Sequence, residues 1–332
     1  MRDAAAFTVD DPRFSTAQVI GPSMLSLDGE EHQRHRDPFG EPYRRRRVEA
    51  ELGDWVQGEA DLLVEALTDQ REAELRSALA APLAVRVIVR SLGLVDVSAD
   101  EVLGWYRRIV AAVEGITRGE DDQDAGHEAF ASLRDAVDVT IASGADSVLA
   151  EACRLGLTVD EVASNAAVLM FGAIETSEGA TANALYHLLS DADQLAVAVA
   201  DPDRASAAVE ESLRLEPAAA QVDRYATVDT QLAGESIAAG DYIVVSLRDA
   251  NRDPAVFDHP EQFDPSRSEV AAHVTFAQGP HHCLGIHLAR IETIAALRSV
   301  VQQLPAIRLD PARSSAPDGA VFRKSQAVTA IW

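Results

Sequence analysis

The chain has 332 residues, 47% of them hydrophobic and 25% charged, which is the composition of an ordinary globular protein long enough to enclose a cofactor. A formal net charge of −25 and a pI near 4.6 exclude general nucleic-acid binding and adhesion to anionic membrane, and they fit a soluble cytoplasmic protein. Two distant cysteines, no apolar signal region at the start and no uninterrupted apolar run of bilayer length point to a reducing compartment and to no membrane partner.

From the N-terminus, Asp10 to Ala17 predicts a short helix and loop, and Gly21 to Leu25 a turn. His32 and Arg36 are spaced to share one face of a helix, and two donors on one face suit an anionic ligand. The run Arg44-Arg45-Arg46-Arg47 stands out in an acidic chain. It is either solvated helix surface or a patch that steers an acidic partner. Apolar residues then recur at helical spacing, at Leu62, Leu63 and Leu67 and again at Val85, Ile88, Val89 and Leu92, with the polar stretch 69–75 between them. Residues 98–143 predict two amphipathic helices joined by the acidic, exposed loop 119–124.

Thr158-Val-Asp-Glu161 has the form of a capping box and opens a long helical pattern that runs to about Ser190. Inside it, Glu175 and Thr176 place an acid and a hydroxyl in an otherwise apolar helix, which is unfavourable unless the pair is solvated or used. Thr176 bonding back to the carbonyl four residues earlier, with Glu175 paired elsewhere, is the other way to satisfy both. Val168, Leu169, Gly172 and Ala173 share the face of Thr176, and Phe171 lies off that stripe. One helix later, Glu211 and Arg214 are one turn apart and suit a bidentate contact. Gly234 and Gly240 mark turns before a β-branched strand from Tyr242 to Leu247, and residues 320–323 and 327–331 look like hairpin strands.

The last motif is Phe276-Ala-Gln-Gly279-Pro-His281-His282-Cys283-Leu-Gly285, followed by Leu288-Ala-Arg290. A lone thiol between two glycines opens an apolar helix, where the helix dipole favours a thiolate. Gly279 and Gly285 let the backbone approach a flat ligand. The loop resembles the haem-binding loop of cytochromes P450, in which the cysteine thiolate is the proximal iron ligand. The companion motifs above stand in the order that family has them.

The resemblance implies a mainly α fold with small β-sheets, a single domain over 1–332, and heme b (iron protoporphyrin IX) as cofactor with Cys283 on the iron. It assigns His32, Arg36, Arg224 and His281 to the haem propionates, since buried carboxylates need cations. Gly279 and Gly285 belong to the cofactor loop. Glu175 and Thr176 take the family's proton-delivery positions, in a helix that opens locally over the haem, with Ala173 where a Gly is more usual. Val168, Phe171, Gly172, Ala220 and Val222 fall on the substrate wall, and the helix pair in 98–143 on a mobile lid. Glu211 and Arg214, joined by Arg267, form a scaffold lock and not a catalytic group.

The implied activity is a haem-thiolate monooxygenase that inserts one oxygen atom from O2 into a small or medium-sized organic substrate. Electrons come from a separate ferredoxin-type donor, which the Arg44–Arg47 run would steer. The alternative is a catalytically silent partner of the same fold that recruits or positions another enzyme, and retention of Glu175 and Thr176 argues against it. A zinc site from His281, His282, Cys283 and His287 is disfavoured because adjacent His-His-Cys side chains do not converge on one tetrahedral ion. Members of the family usually begin with a helix and two strands ahead of the segment matched by residues 11–14. Their absence predicts an unpaired edge on the strand from Tyr242 to Leu247.

Overall fold

Helical periodicity dominates the sequence, and helices carry most of the computed structural model, which describes residues 3–120 and 122–332. Asp121, within the acidic loop 119–124, and the first two residues lie outside the described residues. The helices are α1 (Ser15–Ile20), α2 (Gly29–Gly40), α3 (Arg45–Glu65), α4 (Ala81–Leu92), α5 (Ala99–Arg118), α6 (Asp124–Ala142) and α7 (Val148–Arg154). They continue with α8 (Val159–Ser190), α9 (Ala192–Ala200), α10 (Ala205–Leu215), α11 (Leu247–Ala250) and α12 (Ile286–Gln303).

α8 is the axis of the molecule. Its capping box forms as its sequence predicts: the Glu161 amide donates to Thr158 Oγ1 at 3.3 Å and the Thr158 amide to Glu161 Oε2 at 2.8 Å. Nearly every residue from Val162 to Val168 and from Ser177 to Leu185 is buried, because α4, α6, α10 and α12 pack around it. Asn165, fully buried on α8, accepts from the Met24 amide at 2.8 Å, so the 21–25 turn is pinned to this helix. One hydrophobic cluster extends from Val19 to Ala330. α3 and α12 pack side by side at its edge, and α5 and α6 cross the other side as the predicted helix pair.

Among the described residues eight short strands complete the fold: β1 (Phe7–Thr8), β2 (Glu72–Glu74), β3 (Gln221–Ala226), β4 (Thr230–Leu232), β5 (Glu235–Ile237), β6 (Tyr242–Ser246), β7 (Arg308–Leu309) and β8 (Thr329–Ile331). β3 is the middle of a sheet ordered β1-β3-β6, β8 is the middle of one ordered β2-β8-β7, and β4 pairs with β5. Among the described residues β6 pairs only with β3, and Tyr242 and Val244 stay exposed along it, as the edge expectation requires.

The structure corrects three local expectations. Leu62 is 58% exposed, because α3 turns Val56, Ala60 and Val64 to the core instead. The polar stretch 69–75 holds strand β2, which gains its partner β8 from the far end of the chain, and a π-helical turn follows at Arg76–Ala80. Residues 320–323 and 327–331 do not pair with each other: Phe322 bridges to Ala219, while β8 sits between β2 and β7.

Candidate active site

The cysteine loop is held by its own backbone. The Cys283 amide donates to the Phe276 carbonyl at 2.9 Å and the His282 amide to that of Gly279 at 3.1 Å, with Ala277 and Gly279 in the left-handed region at φ 57° and 84°. A Cβ added at Gly285 would meet nothing within 4 Å, so open space lies beside the loop where α12 begins. Arg290 stacks 4.8 Å from the Phe276 ring centroid and pairs with Glu210 at 2.5 Å, which ties loop, α12 and α10 together.

The thiolate expected from the helix dipole does not arise from the loop alone. Burial pushes the Cys283 thiol up, and it outweighs the Gly285 amide, Arg36 and Arg290, which all act to lower it. A metal ion coordinated by Cys283 would supply the missing positive charge, since a coordinating thiol is deprotonated outright.

Beside the loop lies a cluster of donors, buried at His32 and Arg224 and half-buried at Arg36 and His281. His32 and Arg36 project from α2, His281 from the loop and Arg224 from β3. The His32 ring lies 4.3 Å from that of His281, and its Nε2 is buried with no hydrogen-bond partner. Burial, then the neighbouring His281 and Arg36, push His32 down to about 4, so it is a neutral ring with an unused nitrogen. Arg36 donates to the His282 carbonyl and Arg224 to the Asp223 carbonyl, and burial lowers both guanidinium groups. Neither makes an ion pair with a described carboxylate.

Among the described residues, Asp28 is the carboxylate that bonds within the cluster, to His281 Nε2 at 2.8 Å. Burial opposes its charge, but His281, Thr8 and the Val9 amide outweigh burial and hold it well below the usual carboxylate range. Buried cations that lack anions are costly unless an outside anion completes them. The residues therefore fit a flat cofactor that carries two carboxylates, while His281 already has Asp28 as a partner.

On α8 the helix is unbroken from Val159 to Ser190, so the expected local opening is not present. The Thr176 hydroxyl instead donates back to the Gly172 carbonyl. Gly172 is exposed amid the buried residues Met170, Ile174 and Ser177, and a Cβ there would meet nothing within 4 Å, so this face borders open space. Val168 is buried on the same face. Phe171 points elsewhere, edge-on to Phe322 at 5.8 Å and 6.5 Å from Tyr106. Glu175 is paired away from Thr176: Tyr106 donates to its Oε2 at 2.8 Å and Lys324 Nζ lies 2.9 Å from its Oε1.

The Glu211–Arg214 contact forms as its spacing predicts, and Arg267 joins the pair. Arg214 donates twice to the Glu211 carboxylate at 2.8 Å, Arg267 Nε reaches Glu211 Oε1 at 3.3 Å, and Glu211 and Arg214 are fully buried. Ala220 is buried just before β3, where its carbonyl accepts from the Leu247 amide, and Val222 lies on β3, half-buried. The arginine run is largely neutralised locally: Arg44 pairs with Glu41, Arg45 with Glu49 and Arg47 with Glu51, all exposed.

Known proteins resemble this chain along most of its length. The family model described as Cytochrome P450 matches residues 205–312. The chain is 32% identical over 329 residues to Cytochrome P450 monooxygenase PikC of Streptomyces venezuelae, covering 93% of this chain and 78% of that protein. It is 35% identical over 296 residues to 20-oxo-5-O-mycaminosyltylactone 23-monooxygenase of Streptomyces fradiae, covering 86% of this chain and 68% of that one. The solved structure of P450BioI in complex with hexadec-9Z-enoic acid ligated acyl carrier protein superposes at a TM-score of 0.90, covering 100% of this chain and 88% of that one at 24% identity.

The chain belongs to the cytochrome P450 family. As such it is a monooxygenase that carries heme b, and no helix among the described residues of this P450 is long and apolar enough to cross a membrane. Sequence reasoning missed Asp28, Tyr106 and Lys324. Of these only Lys324 carried a signal, as the single lysine in the chain.

Proposed function

We propose that this P450 inserts one oxygen atom from O2 into a small or medium-sized organic molecule in the cytoplasm, using electrons from a separate ferredoxin-type protein. The haem, when bound, supplies the oxidising iron centre. Cys283 is its ligand, and Gly279 and Gly285 keep the loop backbone clear of the ring. His32, Arg36 and Arg224 bind the propionates, with His281 held among them by Asp28. Thr176 and Glu175 hold and move protons, and Val168, Gly172, Ala220 and Val222 border the substrate, while Phe171 packs against Phe322 instead. The observation that carries this reading is the set of donors beside the cysteine loop, buried at His32 and Arg224 and half-buried at Arg36, that have no carboxylate partner among the described residues.

A depression of about 510 Å³ outside the loop, lined by His273, Phe276, Gln278, His282 and Arg290, supports docking of the electron donor there. The self-paired run at Arg44, Arg45 and Arg47 supports it less than its sequence suggests. The experiment is the reduced carbon-monoxide difference spectrum of the purified protein. Wild type is expected to show the red-shifted band of thiolate ligation, and Cys283→Ser to lose it. A Cys283→Ser protein that keeps the band would end the assignment.

A further inference from the structure

β6 is the longest strand at the edge of a sheet, and among the described residues it pairs only with β3. Three other edge strands carry charge that discourages further pairing: Glu72 and Glu74 on β2, Glu235 on β5 and Arg308 on β7. β6, Tyr242-Ile-Val-Val-Ser246, has neither a charge nor a proline, and Tyr242 and Val244 are 52% and 45% exposed.

The phase of its ladder says which groups face outward. The Leu247 amide donates to the Ala220 carbonyl and the Ala226 amide to the Asp241 carbonyl, both at 2.9 Å, so Ile243 and Val245 turn their backbone groups to Arg224 and Val222 of β3. The amides of Tyr242, Val244 and Ser246 and the carbonyls of Tyr242 and Val244 therefore point out of the sheet edge. The Ser246 carbonyl begins α11 instead, since Ser246 is the N-cap of that helix.

We infer that this edge pairs with a second copy of the chain: two β6 strands lie antiparallel about a two-fold axis at Val244, and two sheets become one. That register is self-complementary. Each Val244 amide meets the partner's Val244 carbonyl, and each Ser246 amide meets the partner's Tyr242 carbonyl. On one face Val244 packs on its own copy, and on the other Ile243 opposes the partner's Val245, an apolar β-branched pair. No charges are opposed within the strands, and beyond their ends Asp241 of one copy comes near the partner's Arg248, a side chain that is 35% exposed. The net charge of −25 on each copy repels, but screening over about 8 Å at physiological salt confines that repulsion. One strand pair buries less than the ~1,200 Å² of a tight complex, so the dimer is weak, with a Kd on the order of 10 μM.

Sedimentation of the full, haem-loaded chain at physiological salt tests it. Wild type is expected to pass from monomer to dimer as its concentration rises through the micromolar range. Residue 244 faces itself across the axis, so Val244→Lys and Val244→Asp are each expected to weaken dimerisation at least about tenfold, and an equimolar mixture of the two to recover it. Haem content and thermal melts equal to wild type show that both variants fold. A wild type still monomeric at about 500 μM, variants that dimerise like wild type, or a mixture that recovers nothing would each overturn the inference.

Amide hydrogen exchange needs no variant. Dilution of wild type is expected to deprotect Tyr242, Val244 and Ser246, while Ile243 and Val245 stay protected by β3. Protection of the outward amides that ignores dilution would put a different occupant on the edge, an intramolecular segment or a copurified peptide, and the second copy would be excluded.

Discussion

The lock at Glu211, Arg214 and Arg267 and the donor cluster at His32, Arg36 and Arg224 both bury charge or strong donors, and they do so in opposite ways. In the lock every guanidinium finds a carboxylate or a carbonyl: Arg214 bonds Glu211 and the carbonyls of Asn251 and Pro260 at 2.9 and 2.8 Å. In the donor cluster Arg36 and Arg224 reach only backbone carbonyls and His32 Nε2 reaches nothing. A buried ion is tolerable when its partners are complete, so the lock is self-sufficient and the cluster is complementary to an anion from outside. The contrast separates scaffold from site without any appeal to catalysis.

The sharpest way to break the comparison is to open the lock. Glu211→Ala leaves two buried guanidinium groups uncompensated and is expected to cost about 3–5 kcal/mol, seen as a collapse of the chemical-denaturation midpoint of the haem-free protein. Arg224→Ala should behave in reverse. It is expected to leave the haem-free protein as stable as wild type while weakening haem retention by about 2 kcal/mol, the scale of a hydrogen bond to a charged group, measured as transfer to apomyoglobin. Equal loss of haem-free stability in both variants would erase the distinction.

A third solution to burial is to give up the charge. Glu292 is buried on α12 with Oε1 unpartnered, and burial pushes its carboxyl up to about 8 against the pull of a Ser177 hydrogen bond. Its folded value is raised, so the native state holds the proton longer than the unfolded chain does. The contribution of the neutral form is therefore complete below the ordinary value of 4.5, declines as pH rises and is exhausted near 8. Relative to Glu292→Gln, the wild-type unfolding free energy is expected to fall by about 1 kcal/mol per pH unit across that window. A pH-independent difference between the two proteins would contradict it.

The exposed pairs of α3 set the lower limit of the scale. Arg45→Ala and Arg47→Ala, which break exposed pairs with Glu49 and Glu51, are each expected to leave the thermal melt indistinguishable from wild type, and a clear drop in Tm would contradict it.

Much of this was legible in the sequence. The Thr158 capping box, the Glu211–Arg214 contact and the Thr176 bond to Gly172 span three or four residues, so helical geometry alone fixes them. The cysteine loop was legible for the same reason, its shape being set by closely spaced Gly279, Pro280 and Gly285. Strand β2 was not, because a three-residue segment has no periodicity of its own and becomes a strand only when β8 supplies a ladder. The expected opening of α8 was carried over from other proteins, and here the Thr176 hydroxyl is satisfied within a regular helix.

The sequence by itself determined which side chains are available within one turn or one loop, because short-range sterics and hydrogen bonding act before the chain folds back. Only the tertiary structure decided that Tyr106, 69 residues before Glu175, and Lys324, near the C-terminus, would converge on that carboxylate. It likewise decided that burial would raise the Cys283 thiol against the pull of its helix and that the donor cluster would gather from α2, β3 and the loop. Those outcomes depend on which surfaces lose water when elements distant in sequence pack together, and desolvation is a property of the assembled fold.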